Sequence, residues 1–461
     1  MAETLLSVGL DVGTTTTQLI VSKLAVQNEA SGFAVPRLQI VNREVVYRSP
    51  VHFTPLKGEQ LVDGDGIRRL LEQEYAAAGI TPEQVDTGAV IITGETSRKE
   101  NARAVLEAIS AFAGDFVVAT AGPALESVLA AKGAGAVEYS RETGKPVLHM
   151  DIGGGTANLA LAKNGRITAT GCMNVGGRLI KTDGKQITYV SPVLSGLTDL
   201  QPGDYPLPGQ LEAIAQLLTQ GLEMAAGLRP PTKLLETLWT KECGPVWTLP
   251  AGECVLSFSG GVADCIETCH PAAAFGDMGP ILGQTIRKSQ LCRGQYRLGS
   301  QTIRATVIGA GCYSTQLSGS TVFCQNVQLP LKNLPVIPFT RQEQDRQDLG
   351  QLIAQRLSGR DEKTAVLALP GYPGGGYGEI SRLAAEILKG AKGRDIYVSL
   401  EADMAKALGQ KLSLLLPPGS PCLCIDRVQP EGDSYLDIGK PIGPALPVVM
   451  KTLVLQERSS Q

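Results

Sequence analysis

The stretch Val147-Leu148-His149-Met150-Asp151-Ile152-Gly153-Gly154-Gly155-Thr156-Ala157-Asn158-Leu159-Ala160-Leu161-Ala162 decides the fold. Its apolar start, the glycines at the bend and the alternation afterwards predict two strands joined by a polar tip, and Asn164-Gly165 marks the next turn. The same arrangement stands at the start of the chain. Leu5-Leu6-Ser7-Val8-Gly9-Leu10 runs into Asp11-Val12-Gly13-Thr14-Thr15-Thr16-Thr17, and Gln18-Leu19-Ile20-Val21 alternates back. Both tips carry Asp, an apolar residue, Gly and then Thr.

Phosphate binding with a divalent cation suits such tips. Glycine lets successive N–H groups point into one concavity, and threonine hydroxyls donate to phosphate oxygens. Two facing carboxylates hold Mg²⁺ mostly through its waters, because that ion dehydrates reluctantly. One Asp-x-Gly-Thr reads equally well as a plain turn; two copies, one with three glycines, select the phosphate reading. The expected ligands are Asp11, Gly13, Thr14 and Thr15 from the first tip and Asp151, Gly153, Gly154, Gly155 and Thr156 from the second, with Asp11 and Asp151 serving the metal. Competing motifs fail: Gly144-Lys145 is followed by Pro146 rather than the Ser or Thr of a P-loop, and no Gly-x-Gly-x-x-Gly opens a helix within residues 1–360.

The 461 residues are roughly three typical domains, so two or three are expected. Lys plus Arg 42 against Asp plus Glu 45 leaves a formal charge of −3, without the basic footprint of a nucleic-acid or anionic-membrane partner. Glycine is over-used, at 53 residues. Met1-Ala2-Glu3-Thr4-Leu5-Leu6-Ser7 lacks a basic leader and no apolar run reaches membrane length, so a cytoplasmic protein is expected. The ten cysteines are scattered and read as reduced thiols. Cys265-x3-Cys269-His270, in a chain with 3 histidines, is short of a four-ligand zinc set. Cys422 and Cys424 alternate in an apolar run and read as one face of a strand.

These motifs resemble the actin-like ATPase superfamily, which includes DnaK-type chaperones, actin and sugar kinases. The resemblance implies a two-lobed actin-like (ribonuclease H-like) α/β fold with ATP and Mg²⁺ in the cleft. Further segments fit in order. Ala89 to Thr93 and Asp115 to Ala119 read as strands around a helix from Ser97 to Phe112. Ala119-Thr120-Ala121-Gly122-Pro123-Ala124 and the small residues of Ser127 to Gly135 resemble the first interlobe segment, and Val307-Ile308-Gly309-Ala310-Gly311 the second. Ser257-Phe258-Ser259-Gly260-Gly261 resembles the adenosine-binding turn, which adds Ser259, Gly260 and Gly261 to the expected ligands. Val175-Gly176-Gly177-Arg178 falls where DnaK-type chaperones carry a Gly-Gly turn. Two departures imply slow hydrolysis. Gly122 replaces the glutamate that helps position the attacking water, and Asn158 replaces a second-lobe aspartate near the cation. Glu95 is the candidate catalytic carboxylate, with a solvated loop position as its alternative.

From about Asn326 the superfamily pattern ends, Pro330, Pro335 and Pro338 bracket a linker-like stretch, and a small C-terminal α/β domain is expected to follow. Helices are read at Gln342 to Leu357, Glu379 to Leu388 and Ala402 to Leu412, and strands at Ala365 to Leu369, Asp395 to Leu400, Cys422 to Val428 and Pro447 to Leu455. The loop Pro370 to Gly378 reads as an anion cradle, a turn or a tyrosine-bearing contact surface. The expected division is 1–135, first lobe with insert; 136–325, second lobe with the returning interlobe helix; and 326–461, accessory domain.

This domain order, the Thr93-Gly94-Glu95-Thr96-Ser97-Arg98-Lys99 bend and the tail Leu436-Asp437-Ile438-Gly439-Lys440-Pro441-Ile442-Gly443-Pro444 look like the family of ethanolamine ammonia-lyase reactivating factors, EutA. The resemblance implies a chaperone-like ATPase that has ethanolamine ammonia-lyase as its partner and promotes exchange of damaged cobalamin for intact coenzyme. A homodimer and association with a bacterial microcompartment are further expectations. Two alternatives use the same cleft: an ATP-dependent activator of an iron–sulfur dehydratase, with Cys265 and Cys269, and an actin-like filament protein.

Overall fold

A computed structural model describes residues 3–13, 16–28, 38–57, 61–92, 117–120, 123–240, 245–249, 254–299, 302–313, 315–318, 321–358, 364–428, 434–441 and 445–452. Thr14, Thr15, Glu95, Gly122 and the expected helix from Ser97 to Phe112 lie outside them.

The two hairpins each found a sheet. Glu3–Val12 pairs antiparallel with Thr16–Asn28, and Leu38–Arg48 extends that side. On the other side Thr87–Ile92 runs parallel to Glu3–Val12, followed by Val117–Thr120. The second sheet repeats this order and these directions with Arg166–Met173, Ala157–Lys163, Val147–Ile152, Val255–Ser259 and Tyr296–Leu298. Two sheets of one topology, each with its hairpin at the front, make the two-lobed actin-like fold.

Strand alternation sends one face of each hairpin outward to helices and the other inward to the lobe boundary. In the first lobe Val8, Leu10, Val12, Leu19 and Val21 pack on Ile67, Leu71 and Tyr75 of the helix Gly64–Ala78. On the opposite face Ile20 meets Val307, Ile308 and Cys312, while Ser7 Oγ donates to the Gly311 carbonyl at 2.5 Å. In the second lobe Leu148, Met150, Ile152 and Leu159 join the core containing the helices Gln210–Ala225 and Gly279–Lys288. The inward residues Val147, Ala160 and Ala162 meet Ala131 and Ala136.

Two helices cross between the lobes, Pro123–Gly133 and Ala305–Tyr313. Their backbones approach so closely that a Cβ on Gly309 would overlap the Leu129 carbonyl, and one on Gly133 the Ala305 carbonyl. Glycine is required there for space rather than for conformation.

The remaining sheet has eight strands. Its centre is parallel: Leu331–Pro338, Val366–Leu369, Ile396–Leu400 and Cys422–Asp426. Ser434–Ile438, Pro447–Thr452 and Thr315–Leu317 continue it antiparallel on one side, and Phe323–Gln325 on the other. The sheet therefore takes in two strands that precede residue 326. Helices Leu349–Ser358, Tyr377–Ala391 and Ala405–Leu415 cover one face through Ile353, Leu383, Ile387, Leu408 and Leu412. Cys422 and Cys424 both point into that layer, as their alternation predicts. The stretch read as one helix from Gln342 to Leu357 is two: Arg341–Gln344, closed by a Thr340–Glu343 capping box, and Leu349–Ser358. Asp345 and Asp348 are poor helix formers that bond locally, and Arg346 Nε donates to Asp348 at 2.8 Å. Leu317 anchors this sheet to the first lobe by packing on Leu5, Leu24 and Val26. No helix among the described residues is long and apolar enough to cross a membrane.

Candidate functional site

The register of the hairpins places the two acids alike. Asp11 lies opposite Gln18, and Asp151 lies opposite Asn158, in antiparallel pairs whose side chains share a face. That face is the inward one in both lobes. Each tip closes on one backbone hydrogen bond of the same length: Gly13 N–H to the Thr16 carbonyl at 2.9 Å, and Gly153 N–H to the Thr156 carbonyl at 2.9 Å.

In the second tip, the N–H groups of Gly154, Gly155 and Thr156 donate to no described residue. The carbonyls of the tip are held from behind, by Gly177 N–H on Gly153 at 3.0 Å and Arg178 N–H on Gly154 at 2.6 Å. This is the Val175-Gly176-Gly177-Arg178 turn, and a Cβ on Gly176 would overlap Gly154. Arg178 is fixed in turn by Asp277, Nε to Oδ2 at 3.2 Å. A Cβ on Gly155 or Gly261 would meet nothing within 4 Å, so these glycines border open space. Gly260 has φ +87°, and its N–H reaches the Thr302 carbonyl at 2.9 Å. The turn from strand Val255–Ser259 into helix Gly261–Glu267 thus lies beside the end of Val147–Ile152.

Asp151 is 7% exposed and held on both oxygens. Ser259 Oγ donates to Oδ1, and Thr306 Oγ1, from the returning helix, donates to Oδ2 at 3.3 Å. Burial pushes its carboxyl above the usual carboxylate range, against those two hydroxyls, which pull it down. His149, one strand repeat earlier, is fully enclosed, and burial lowers it to about 3, so it is neutral. Its Nε2 lies 2.9 Å from Ser259 Oγ and its Nδ1 lies 3.1 Å from Ser257 Oγ. Ser259, expected at the adenosine, therefore has its hydroxyl committed between Asp151 and His149.

Two amides in the cleft carry an orphaned oxygen. Gln18 Nε2 donates to the Ile303 carbonyl at 3.3 Å, yet among the described residues its buried Oε1 has no partner, and the buried Asn158 Oδ1 has none either. Buried acceptors without donors are costly and call for a ligand or an ordered water. Sequence reasoning named Asn158 but missed Gln18, His149, Thr306 and Asp277. Gln18 had a signal, because it follows Asp11 at the spacing by which Asn158 follows Asp151. His149 and Thr306 had none, since a lone polar residue in an apolar run does not declare its partner. The cysteines of the alternative reading diverge: Cys265 is buried, its thiol pushed up by burial to about 11, and Cys269 is exposed. Among the described residues no three His, Cys, Asp or Glu side chains form a metal cluster.

The family described as "Ethanolamine utilisation protein EutA" matches residues 3–456. The chain belongs to the EutA family. Two EutA relatives are similar over nearly their whole length. "Ethanolamine ammonia-lyase reactivase EutA" of Salmonella typhimurium is 39% identical, over 97% of this chain and 98% of that protein. The protein of the same name from Escherichia coli is also 39% identical, over 97% of this chain and 98% of its own. Among solved structures, an Aquifex aeolicus PPX-GPPA enzyme aligns with 12% identity and a TM-score of 0.40 over 67% of this EutA-family chain and 99% of its own. Ethanolamine utilization protein EutJ from Carboxydothermus hydrogenoformans aligns with 15% identity and a TM-score of 0.30, over 66% and 89%.

Proposed function

We propose that this EutA-family protein is an ATP-dependent, chaperone-like reactivating factor of ethanolamine ammonia-lyase that promotes exchange of damaged cobalamin for intact coenzyme. Near-full-length identity to proteins named as that reactivase supports the partner. The observation that carries the ATPase half is the pair of orphaned amide oxygens, Gln18 Oε1 and Asn158 Oδ1, each opposite an aspartate on the inward face of its lobe.

The donor set fits magnesium nucleotide. Asp11 and Asp151 would hold the cation through its waters, and the two amide oxygens would accept from those waters. The free N–H groups of Gly154, Gly155 and Thr156 suit phosphate oxygens, joined by Gly13, Thr14 and Thr15 from the first tip. Gly260 and Gly261, with open space above Gly261, suit the nucleoside. When bound, the cation would neutralise phosphate charge as it builds during hydrolysis. Asn158 offers no carboxylate at its position, so turnover is slow and nucleotide serves as a timer. Glu95 is the proposed water-positioning residue.

A reactivase can expel a damaged cofactor only if it binds the open state of its enzyme better than the closed one. Lobe closure on nucleotide would move the crossing helices, and with them the surface that grips the lyase. The functional units are 1–135, 136–325 and 326–461, with strands Thr315–Leu317 and Phe323–Gln325 of the second completing the sheet of the third, in a cytoplasmic protein associated with a microcompartment and able to form a homodimer. The test is lyase loaded with an inactive cobalamin. Activity returns only with this protein, Mg-ATP and fresh adenosylcobalamin together, and full recovery without ATP refutes nucleotide-driven exchange.

A further inference from the structure

Strand Val147–Ile152 turns His149 and Asp151 to the same face, and its parallel neighbour Val255–Ser259 places Ser257 opposite His149 and Ser259 opposite Asp151. Away from Asp151 and its partner Asn158, that face is lined by Val147, Ala160, Ala162 and Val255 and covered by Ala131 and Ala136. His149 and Ser259 are each 0% exposed there, and Ser257 is 3% exposed. A buried imidazole in such surroundings needs both nitrogens satisfied, and the two serines do that. The direction of the bonds follows from the acid. Ser259 Oγ donates to Asp151 Oδ1. Its oxygen is then free to accept from His149 Nε2–H across 2.9 Å, which leaves Nδ1 to accept from Ser257 Oγ–H across 3.1 Å. Neither His149 nor Ser257 reaches the open side of the cleft, so neither can touch a nucleotide.

We propose that His149, acting through Ser259, is a positioning residue that fixes the Asp151 carboxylate for the hydrated cation. The inference rests on the magnesium-nucleotide reading of the cleft. A serine hydroxyl rotates freely, and alone it can point to Asp151 or away. With His149 N–H directed at its oxygen, its hydrogen is left aimed at Oδ1. Thr306 holds the other oxygen from the returning interlobe helix. The carboxylate plane is thereby set from its own sheet on one side and from the returning interlobe helix on the other. Preorganising a metal carboxylate by an outer hydrogen bond typically changes metal affinity 10- to 100-fold.

The experiment titrates Mg²⁺ against ATP binding on the full chain by calorimetry, with unfolding temperature measured in parallel. His149→Phe keeps the bulk and loses both bonds; His149→Gln keeps an N–H donor; Ser259→Ala removes the link alone. The expected result is a Mg²⁺ requirement raised about 10- to 100-fold in His149→Phe and Ser259→Ala and largely restored in His149→Gln. Nucleotide affinity without Mg²⁺ stays unchanged in the two His149 variants. An unchanged Mg²⁺ requirement in Ser259→Ala overturns the proposal, as does a rise in His149→Gln equal to that in His149→Phe and tracking lost stability. Wild-type protein that binds no Mg-ATP would bring down the nucleotide reading itself, a separate outcome visible before any variant is made.

Discussion

A Cβ placed on Gly133 would lie 2.7 Å from the backbone nitrogen of Gly309, so the two interlobe helices cross at a point where neither tolerates a side chain. Gly309→Ala adds one methyl where the Leu129 carbonyl already stands. Overpacking of this kind costs about 1–3 kcal/mol. Urea unfolding should show that loss in Gly309→Ala. Gly261→Ala, whose new methyl meets open space, should retain the wild-type midpoint and instead weaken nucleotide binding. Equal midpoints for Gly309→Ala and wild type would contradict the packing argument.

Asp11 and Asp151 hold equivalent register positions, so their loss should have equivalent consequences. Asp11→Asn and Asp151→Asn should each cost on the order of 1–3 kcal/mol of Mg-ATP affinity, or roughly 5- to 150-fold. Calorimetry decides, and unchanged affinity in both variants would remove the cation from the cleft.

The fold was legible because the deciding hairpin occurs twice. Local turn chemistry and strand alternation announce it in Asp11 to Val21 and again in Asp151 to Ala162, and the order of the sheets follows. The crossing glycines were legible as small residues in helices. Of the eight-stranded sheet, the apolar runs of Val366–Leu369, Ile396–Leu400, Cys422–Asp426 and the antiparallel Pro447–Thr452 were legible, whereas the parallel strand Leu331–Pro338 was not, because Pro330, Pro335 and Pro338 mark it as a linker. Its flanking strands Thr315–Leu317 and Phe323–Gln325 are three residues each, too short for periodicity to mark. In the site, residues of the tips could be named from their motif. The support could not: Thr306 reaches Asp151 across 155 positions and Ser259 across 108, and nothing local encodes those contacts.

Turnover gives a further check. Asn158 sits opposite Asp151 with an amide where the resemblance to DnaK-type chaperones implies a carboxylate, and a missing water-orienting group commonly costs around 10²–10⁴ in rate. Phosphate release should be slow, and Asn158→Asp should raise it at least about tenfold at saturating Mg-ATP. Wild-type turnover of tens per second would show that another group, such as Glu95, already does this work.

The pH dependence of stability should be set in part by Asp426, in the C-terminal sheet. It is 0% exposed at the end of strand Cys422–Asp426 and shares Thr321 Oγ1 with Asp403. Burial raises its carboxyl to about 6, Thr321 and Arg427 pull it down, and the neighbouring Asp403 pushes it up. Asp403 goes the other way, because Thr321 and Arg427 outweigh its own burial. A carboxyl whose folded value exceeds its unfolded one favours the fold while it is protonated. Its contribution is therefore complete below the ordinary 3.8 and is lost as pH rises through about 6. Two units correspond to a few kcal/mol at most, so a loss on the order of 1–3 kcal/mol is expected across that window. Asp426→Asn keeps an acceptor for Thr321 and presents an N–H to Asp403, which leaves position 426 itself neutral at every pH. The variant should match wild type near pH 4 and unfold at a higher temperature near pH 7.5. Unfolding curves that stay parallel from pH 4 to 7.5 would mean that Asp426 keeps its charge in the fold and that the proton assigned to it sits elsewhere.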